Sequence, residues 1–324
     1  MSERTVLVVA HAGRPGARSI AAEFCAGLYR HDIGIRLLDS EADELALDLP
    51  SGAMETVEAS PRAAVGCELA IVFGGDGTIL RAAELTHDSG TPLLGVNLGH
   101  VGFLAEIEQD AVEATLDAIA DCRYTAEERL TLDVTAYRTT NDNGRRETVA
   151  STWALNEASV EKAARERMLE VVVEVDARPL SRWGCDGVVC ATPTGSTAYN
   201  FSAGGPVVWP EVEALLMVPI SAHALFARPM VVGPSSVLAV EVLAGTEGSG
   251  VLWCDGRRTV DLPPGARIEV RRADKPVRLA RLHQSPFTDR LVAKFDLPVT
   301  GWRGAARRRA TGGNSAERPG EDDA

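Results

Sequence analysis

Apolar and polar residues follow two alternating patterns over roughly the first 120 positions of the chain. Unbroken apolar runs, such as Leu-Ala-Ile-Val-Phe at 69–73, are typical of strands buried in a parallel sheet. Between such runs Ile20, Phe24 and Leu28 repeat every fourth residue, which is helical spacing. Strands are predicted at 5–10, 33–38, 69–73 and 92–96, and helices at 17–29, from 78 to about 86 and at 108–119. This alternation indicates a Rossmann-like α/β domain, a parallel sheet covered by helices, over residues 1–128.

The pattern changes near residue 129, where short β-type segments follow one another with almost no helical spacing. Strands are predicted at 132–137, 148–155, 169–175, 187–190, 237–243, 251–254, 267–270 and 277–282. Turn sequences separate them, among them Asp255-Gly256, which we interpret as a hairpin turn without a chemical role. We therefore expect an all-β domain, a β-sandwich, over residues 129–285. The composition of residues 301–324 predicts a disordered tail.

Composition and charge exclude several classes of partner. The net charge of −13 at pH 7 would repel a nucleic-acid backbone, so no nucleic-acid partner is expected. No apolar run approaches the roughly 20 residues that span a bilayer, so no membrane association is expected. The six cysteines are scattered without a Cys-x-x-Cys pair, which predicts small buried residues in a reduced, cytoplasmic protein.

The first stretch that suggests chemistry is Gly-Gly-Asp-Gly-Thr at 74–78, directly behind the strand 69–73. Glycines let the main chain approach a phosphate closely, and a helix start behind them offers free N–H groups. The candidates for binding a phosphoryl donor are Gly74, Gly75, Gly77 and Thr78. A carboxylate repels phosphate, but Asp76 suits phosphoryl transfer, in which it would orient or deprotonate a hydroxyl. The alternative is that Asp76 caps the helix or stabilises the turn.

Two further polar features follow along the chain. A second glycine-bearing turn, Asn-Leu-Gly-His-Val-Gly-Phe-Leu at 97–104, is a candidate for the other wall of the same cleft. Its histidine, His100, is interpreted as structural. Asn156 and Glu157 then stand side by side at the end of an apolar strand. Their donor and acceptor groups match the two hydroxyls of a ribose, although a polar strand end is the alternative interpretation.

The segment behind the strand at 187–190 is rich in hydroxyl groups and glycines. It reads Thr-Pro-Thr-Gly-Ser-Thr-Ala-Tyr at 192–199, with Asp186 before it and Gly204-Gly205 behind it. Such a loop presents backbone N–H groups and short donors at close range, and Tyr199 can stack on a base. A short helix is expected to start near Ser196, and hydroxyl residues there also cap helices. Because the segment holds more of them than capping requires, we interpret 192–202 as a ligand loop.

These four stretches, in this order and spacing, resemble the bacterial NAD kinases, and the resemblance covers about residues 4–300. The motif at 74–78 is moderately specific, since lipid kinases and phosphofructokinases carry similar turns. The Asn156-Glu157 pair together with the loop at 192–199 makes the match strong. The resemblance implies phosphorylation of the 2′-hydroxyl of the adenosine ribose of NAD, giving NADP, with a magnesium-bound phosphoryl donor.

The resemblance also implies a role for each candidate residue. Asp76 would orient or deprotonate the 2′-hydroxyl, while Asn156 and Glu157 would hold ribose and diphosphate groups. Phe103 would pack against the adenine, and Asp186 would contact the nicotinamide side. The other residues lining the NAD site would be Gly77, Thr194, Thr197, Ala198, Tyr199 and Ser202. No residue is assigned as a metal ligand.

The resemblance also implies how the chain ends, how it assembles and which phosphoryl donor it uses. Residues 286–300 are expected to return to the first domain, and the chain is expected to form a homo-oligomer, either dimer or tetramer. The donor is expected to be Mg-ATP or, as in some relatives, inorganic polyphosphate. Two rivals are a lipid or diacylglycerol-type kinase and a non-catalytic NAD(P)-binding sensor. The polar loop at 192–202 argues against the first, and Asp76 together with Asn156-Glu157 favours an enzyme over the second.

Overall fold

A computed structural model gives the fold of the chain. It describes residues 4–299 except 12, 14, 46, 48, 51, 98–101, 106–111, 140–145, 165–166, 246–247 and 284. His100, the first part of the helix predicted at 108–119 and the predicted tail 301–324 therefore lie outside the described residues. Residues up to Gln284 form one compact unit and those from Ser285 a second. The boundaries predicted from the sequence, and the predicted return of 286–300, stay predictions.

The first part of the chain builds a sheet flanked by helices. Its strands are β1 (Thr5–Ala10), β2 (Gly34–Leu38), β3 (Met54–Val57), β4 (Leu69–Phe73), β5 (Leu93–Val96), β6 (Thr125–Arg129) and β19 (Val277–Arg281). They lie in the order β3-β2-β1-β4-β5-β19-β6, with β6 antiparallel to β19 and the other neighbours parallel. Every residue of β4 is buried, which explains its unbroken apolar run.

Helices cover both faces of this sheet. They are α1 (Pro15–Arg30), α2 (Asp39–Leu45), α3 (Asp76–Thr86) and α4 (Val112–Ala120); further along the chain are α5 (Tyr199–Ser202) and α6 (Phe287–Phe295). Phe24 of α1 and Leu116 of α4 belong to the apolar cluster on one face, and Ile79 of α3 to the cluster on the other. This arrangement confirms the predicted α/β fold and sets α3 behind the carboxyl end of β4, where such sheets bind ligands.

Two antiparallel sheets form the second part. The first has the order β11-β10-β15-β18-β7-β8, with β7 (Leu132–Thr139), β8 (Arg146–Ala154), β10 (Leu169–Val175), β11 (Arg178–Cys185), β15 (Leu238–Val242) and β18 (Ala266–Arg272). The second has the order β14-β13-β12-β9-β16-β17, with β9 (Glu157–Lys162), β12 (Gly187–Ala191), β13 (Leu215–Ile220), β14 (Met230–Val232), β16 (Gly250–Cys254) and β17 (Arg258–Leu262). Val171 of the first sheet and Val188 of the second share one buried core, which confirms the β-sandwich.

One strand lies in a different sheet from the one that the sequence suggested. The segment predicted at 277–282 was counted with the β-sandwich, but β19 pairs with β5 and β6 in the α/β sheet. The chain thus re-enters the first sheet before residue 286. The residues of β19 are buried except Arg278, a pattern that is compatible with either sheet, so the local pattern contains no information on its partners.

The α/β sheet and the β-sandwich meet along an apolar cluster. Trp153, near the end of β8, and Leu155, directly after that strand, pack in the same cluster as Ile79 of α3 and Leu104. Because Leu155 precedes Asn156, this contact brings the predicted NAD-binding pair toward the helix that begins with Asp76.

The cysteines follow the prediction with one exception. All six are free, and five are buried, whereas Cys122 is exposed in the turn that ends α4. Burial raises the pKa of Cys25, Cys185, Cys190 and Cys254 to about 12. Among the described residues, none of the helices has the length and apolar character needed to cross a membrane.

Candidate active site

The turn at 74–78 joins the buried end of β4 to α3, of which Asp76 is the first residue. A Cβ at Gly74 would overlap the Thr78 side chain, so this close approach requires glycine. The Thr78 N–H donates to the Gly75 carbonyl at 2.9 Å, which closes the turn. Gly77 is exposed and Gly75 half-buried, so part of this backbone faces solvent at the helix N-terminus.

The carboxylate of Asp76 ties this turn to the second glycine-bearing turn. Its Oδ2 accepts the Phe103 backbone N–H at 3.1 Å, and its Oδ1 accepts the Leu104 N–H at the same distance. A side chain at Gly102 would collide with Oδ1. Asp76 is therefore held in one orientation by main-chain donors rather than by a helix-cap bond of its own. Phe103 is 8% exposed, so little of this residue is accessible to an adenine in this arrangement.

Asn156 and Glu157 lie at the start of β9, buried between two neighbouring strands. β9 pairs with β12 on one side and with β16 on the other. Asn156 is 8% and Glu157 7% exposed. A polar strand end facing solvent, the alternative interpretation, does not match such burial.

Asp255, which no sequence motif predicted as part of the site, holds this strand end in place. Its carboxylate accepts the N–H groups of Leu155 at 3.0 Å, Asn156 at 2.7 Å and Glu157 at 3.4 Å. The hairpin interpretation of Asp255-Gly256 was sound, since both residues have positive φ between β16 and β17. Beyond the hairpin, the Asp255 carboxylate has a structural role that was not predicted. The position of an aspartate between two apolar strands was the one sequence signal for this role. Aspartate is so common in hairpin turns that this signal did not distinguish Asp255 from an ordinary turn residue.

The loop at 192–199 packs on the same strand end. The Thr192 N–H donates to the Asn156 carbonyl at 2.9 Å, and the Thr192 hydroxyl donates to the Leu155 carbonyl at 2.6 Å. The helix expected near Ser196 is instead a 3₁₀ turn, Thr194–Thr197, followed by the single turn of α5. Ser196 exchanges hydrogen bonds with the Val208 backbone. Part of the hydroxyl content therefore serves the loop itself, while Thr194 is buried and Ser202 is exposed.

Asp186 lies at the opposite end of β12 from this loop. β12 pairs Ala191 with Glu157 at one end and Gly187 with Glu161 at the other, so Asp186 is displaced from Asn156-Glu157 by about 16 Å along the strand. Its carboxylate lies 2.5 Å from Lys162 Nζ, and this hydrogen bond lowers the pKa of Asp186. The structure thus does not gather all predicted residues around one point. It sets Asp186 and the Asn156-Glu157 pair at opposite ends of the pairing between β9 and β12.

Tyr199 bridges this distance. Burial raises the pKa of its hydroxyl. The nearby carboxylates of Glu161 and Glu157 raise this pKa further, and the hydroxyl forms a hydrogen bond with Glu161. Glu161 also accepts the Ser159 hydroxyl at 2.5 Å. Neither Glu161 nor Lys162 was predicted to belong to the site, because a charged strand end has no distinctive motif.

The electrostatic state of Glu157 is unusual for a carboxyl group. Burial, followed by the nearby Asp255 charge, raises the pKa of Glu157 to about 8, and a hydrogen bond from the Tyr199 backbone opposes this. Its Oε2 is buried with no hydrogen-bond partner. A buried carboxyl oxygen without a donor is costly, and a ligand hydroxyl at this position would satisfy it.

We expect Glu157 to make folding stability fall as the pH rises. Since the folded pKa lies above the ordinary value of 4.5, the stabilising contribution is complete below about pH 4.5 and is lost as the pH rises through about 8. Glu157→Gln, which stays neutral, should therefore gain several degrees in Tm over the unchanged chain between pH 5 and pH 9. Thermal unfolding without nucleotide measures this.

The exposed Glu58 provides the control for this prediction, since Glu58→Gln also removes one negative charge. Parallel curves of Tm against pH for the unchanged chain and Glu157→Gln would show that Glu157 is ionised in the folded protein throughout this range.

Comparisons with known proteins agree with this geometry. The family model for the ATP-NAD kinase N-terminal domain matches residues 6–124, and that for the ATP-NAD kinase C-terminal domain matches residues 155–282. The chain belongs to the NAD kinase family. NAD kinases are phosphotransferases with an alcohol group as acceptor, so the enzyme class predicted from the motifs is confirmed.

Relatives extend the match over nearly the whole chain. NAD kinase 2 of Streptomyces coelicolor is 61% identical over 303 residues, covering 93% of this chain and 97% of the relative. NAD kinase of Thermobifida fusca is 58% identical over 318 residues, covering 96% of this chain and 95% of the relative. Two solved structures share the fold. Yeast NADH kinase complexed with NADH has a TM-score of 0.76 at 24% identity, covering 98% of this chain and 90% of that one. An NAD kinase from Archaeoglobus fulgidus in complex with ATP has a TM-score of 0.65 at 23% identity, covering 90% of this chain and 98% of that one.

Proposed function

We propose that this NAD kinase transfers the terminal phosphoryl group of ATP to the 2′-hydroxyl of the adenosine ribose of NAD through the site around Asp76. The observation that carries the assignment of the acceptor is the unpartnered, buried Oε2 of Glu157 beside Asn156. A ribose diol has two hydroxyl groups, so it can donate one hydrogen bond to each member of such a pair. The acceptor of a lipid kinase has one hydroxyl at the end of an apolar chain, which leaves the second polar side chain without a partner.

Asp76 acts on the attacking hydroxyl. Both of its oxygens already accept a backbone N–H, which fixes the carboxylate plane and leaves their remaining lone pairs for a ligand. Because an aspartate is a weak base toward a sugar hydroxyl, orientation contributes more than proton removal. Donor phosphates meet the turn at the start of α3 that Gly74, Gly75, Gly77 and Thr78 form. The N–H groups of Gly75 and Gly77 face the donor, because those of Gly74 and Thr78 already donate to the Val96 and Gly75 carbonyls.

NAD lies along β12 in this proposal. Asn156 and Glu157 hold the ribose hydroxyls at one end, and Asp186 contacts the nicotinamide side about 16 Å away, a span that suits an extended dinucleotide. Tyr199 lies between them. The remaining lining residues are Phe103, Thr194, Thr197, Ala198 and Ser202.

Magnesium would enter with the donor. The described residues hold no group of three or more His, Cys, Asp or Glu side chains able to bind a metal ion. This fits magnesium, which is commonly held by one carboxylate together with substrate phosphates and waters. Asp76 is the carboxylate beside the phosphate-binding turn that would face it. When bound, the ion supplies neutralisation of phosphate charge.

NADP formation from NAD and magnesium tests the proposal, with ATP and polyphosphate offered in separate reactions. Product with ATP supports the assignment. Product with polyphosphate as well would widen the donor range. If neither gave product while NAD bound, a sensor role would replace the enzyme, and phosphorylation of diacylglycerol in mixed micelles would favour the lipid kinase.

Gly195→Ala is expected to weaken NAD binding. A Cβ at Gly195 would overlap the Asn156 carbonyl, and relieving such a collision costs about 1–3 kcal/mol. If the loop shifts away from Asn156, KM for NAD should rise roughly tenfold. Initial rates against NAD concentration measure it. Gly233→Ala is the matched control, because its Cβ meets nothing within 4 Å. Equal KM values for both variants would separate this loop from the NAD site.

We also propose a homo-oligomer. Several large apolar side chains of the sandwich are exposed, among them Phe201, Trp209, Leu225, Phe226 and Val231. Burial of such side chains against another copy would remove apolar surface from water. Light scattering distinguishes dimer and tetramer from a monomer, and a monomer at working concentration would contradict the proposal. The cytoplasmic location predicted from the sequence remains part of the proposal.

A further inference from the structure

Arg258, the first residue of β17, contacts both parts of the candidate site. Its Nη2 donates to Asp255 Oδ2 at 2.7 Å, on the carboxylate that holds the Asn156-Glu157 backbone. Its Nε lies 3.3 Å from Glu84 Oε1 on α3, close enough for an ion pair though not aligned as a hydrogen bond. One guanidinium therefore joins α3, which begins with Asp76, to the anchor of the NAD-binding pair.

A stack of rings supports the same link. The Arg258 guanidinium lies 4.5 Å from the centroid of the Trp153 ring, and the Trp153 ring stacks on His87 with centroids 3.9 Å apart and planes at 10°. His87 directly follows α3. Arg258 Nη1 also reaches the Thr152 hydroxyl at 3.4 Å. The planar cation is thus confined from above by an aromatic ring and along its edge by three polar partners.

The burial of these groups favours a firm connection. The side chains of Glu84 and Arg258 are 26% and 27% exposed, and that of Asp255 is 3% exposed. Exposed ion pairs are screened by water and contribute little, whereas a partly buried pair with fixed geometry restrains its partners more strongly. A lysine ammonium is a compact point charge without the planar fork of the guanidinium, so it would not hold all of these partners in the same geometry.

We propose that Arg258 is a positioning residue that sets the distance between Asp76 and the bound NAD. The inference rests on the roles proposed for Asp76 and Glu157. Phosphoryl transfer requires near-attack geometry, and a misplacement of about 1 Å costs about 100-fold in rate. Because Asp255 would still accept the backbone N–H groups without Arg258, the loss should fall on turnover rather than on NAD affinity.

Steady-state kinetics of Arg258→Met, Arg258→Lys, Glu84→Gln and the double variant Glu84→Gln/Arg258→Met test this, at a temperature well below each Tm. Arg258→Met should lower kcat at least tenfold while KM for NAD changes less than about threefold. Arg258→Lys should lose a smaller share of kcat. The double variant should lose less than the product of the two single losses, because Glu84 and Arg258 share the contact that joins α3 to the start of β17.

Arg257→Met is the matched control. Arg257 Nε lies 3.1 Å from the same Glu84 oxygen, at the more exposed side of the turn, so its loss should change kcat less than about twofold. The inference is overturned if Arg258→Met keeps its kcat, or if Glu84→Gln and Arg258→Met are additive. A lowered Tm with unchanged kcat would likewise reduce Arg258 to a structural role. If Arg258→Met does not fold, Arg258→Lys is decisive, since unchanged kcat there overturns the inference.

The failure of this inference can be told from failure of the proposed function. If Asp76→Asn keeps turnover and Glu157→Ala keeps the KM for NAD, the roles on which it rests are wrong. If these variants lose activity as expected while Arg258→Met does not, the roles stand and Arg258 alone is excluded.

Discussion

Replacement of Asp76 by asparagine is expected to lower kcat by about 10²–10⁴-fold, the range for loss of a group that orients and accepts a proton. Asparagine keeps the size and one acceptor oxygen, so α3 and the second turn should stay in contact. The KM for NAD should change less than about threefold, because the hydroxyl contacts of Asn156 and Glu157 remain. Initial rates of NADP formation, with NAD affinity from calorimetry, measure both quantities.

Asp117→Asn on α4, at an exposed position, controls for the loss of one negative charge. In Asp76→Asn the new amide NH₂ would face one of the two backbone N–H donors of the second turn, so Tm is recorded as well. An unchanged kcat in Asp76→Asn would mean that the only role of Asp76 is to accept the hydrogen bonds from Phe103 and Leu104. The turn would then be a structural connection, as the capping alternative has it.

The parts of the fold that the sequence predicted well are those whose burial is complete or strictly alternating. The run at 69–73 is buried at every position, and the predicted strand 169–175 coincides with β10. By contrast, α2 and β3 lie between the strands predicted at 33–38 and 69–73, where no helix or strand was predicted. β3 has no fully buried residue, so its sequence shows neither the helical nor the strand spacing of apolar residues.

The candidate site shows the same limit at the level of side chains. Motifs predicted Asp76, Asn156 and the loop at 192–199, because glycines and hydroxyls in such density have few structural uses. The motifs did not predict Asp255, whose role comes from a contact with residues 98–100 positions away. Pairings over such distances depend on strand order, which the local pattern does not specify.

Asp255→Asn is expected to raise the KM for NAD about tenfold or more and to lower the free energy of unfolding by about 2–4 kcal/mol. The carboxylate accepts three backbone N–H groups and pairs with Arg258, so an amide would leave a donor facing donors. Burial raises the pKa of Asp255, and the hydrogen bonds from Leu155 and Asn156 oppose that shift. Because the strand end carries Asn156 and Glu157, its loosening should weaken the contacts to ribose before it affects turnover.

Asp261→Asn is the matched control, since Asp261 is exposed on the same hairpin. Kinetics at saturating ATP give KM and kcat, and chemical denaturation gives the unfolding free energy. A loss of stability with an unchanged KM for NAD would mean that the strand end keeps its conformation without the carboxylate. A raised KM together with a nearly unchanged kcat would distinguish Asp255, which holds the NAD-binding backbone, from Arg258, whose loss should act on kcat. The two residues touch each other. A change in KM for one and in kcat for the other therefore separates substrate holding from alignment for transfer.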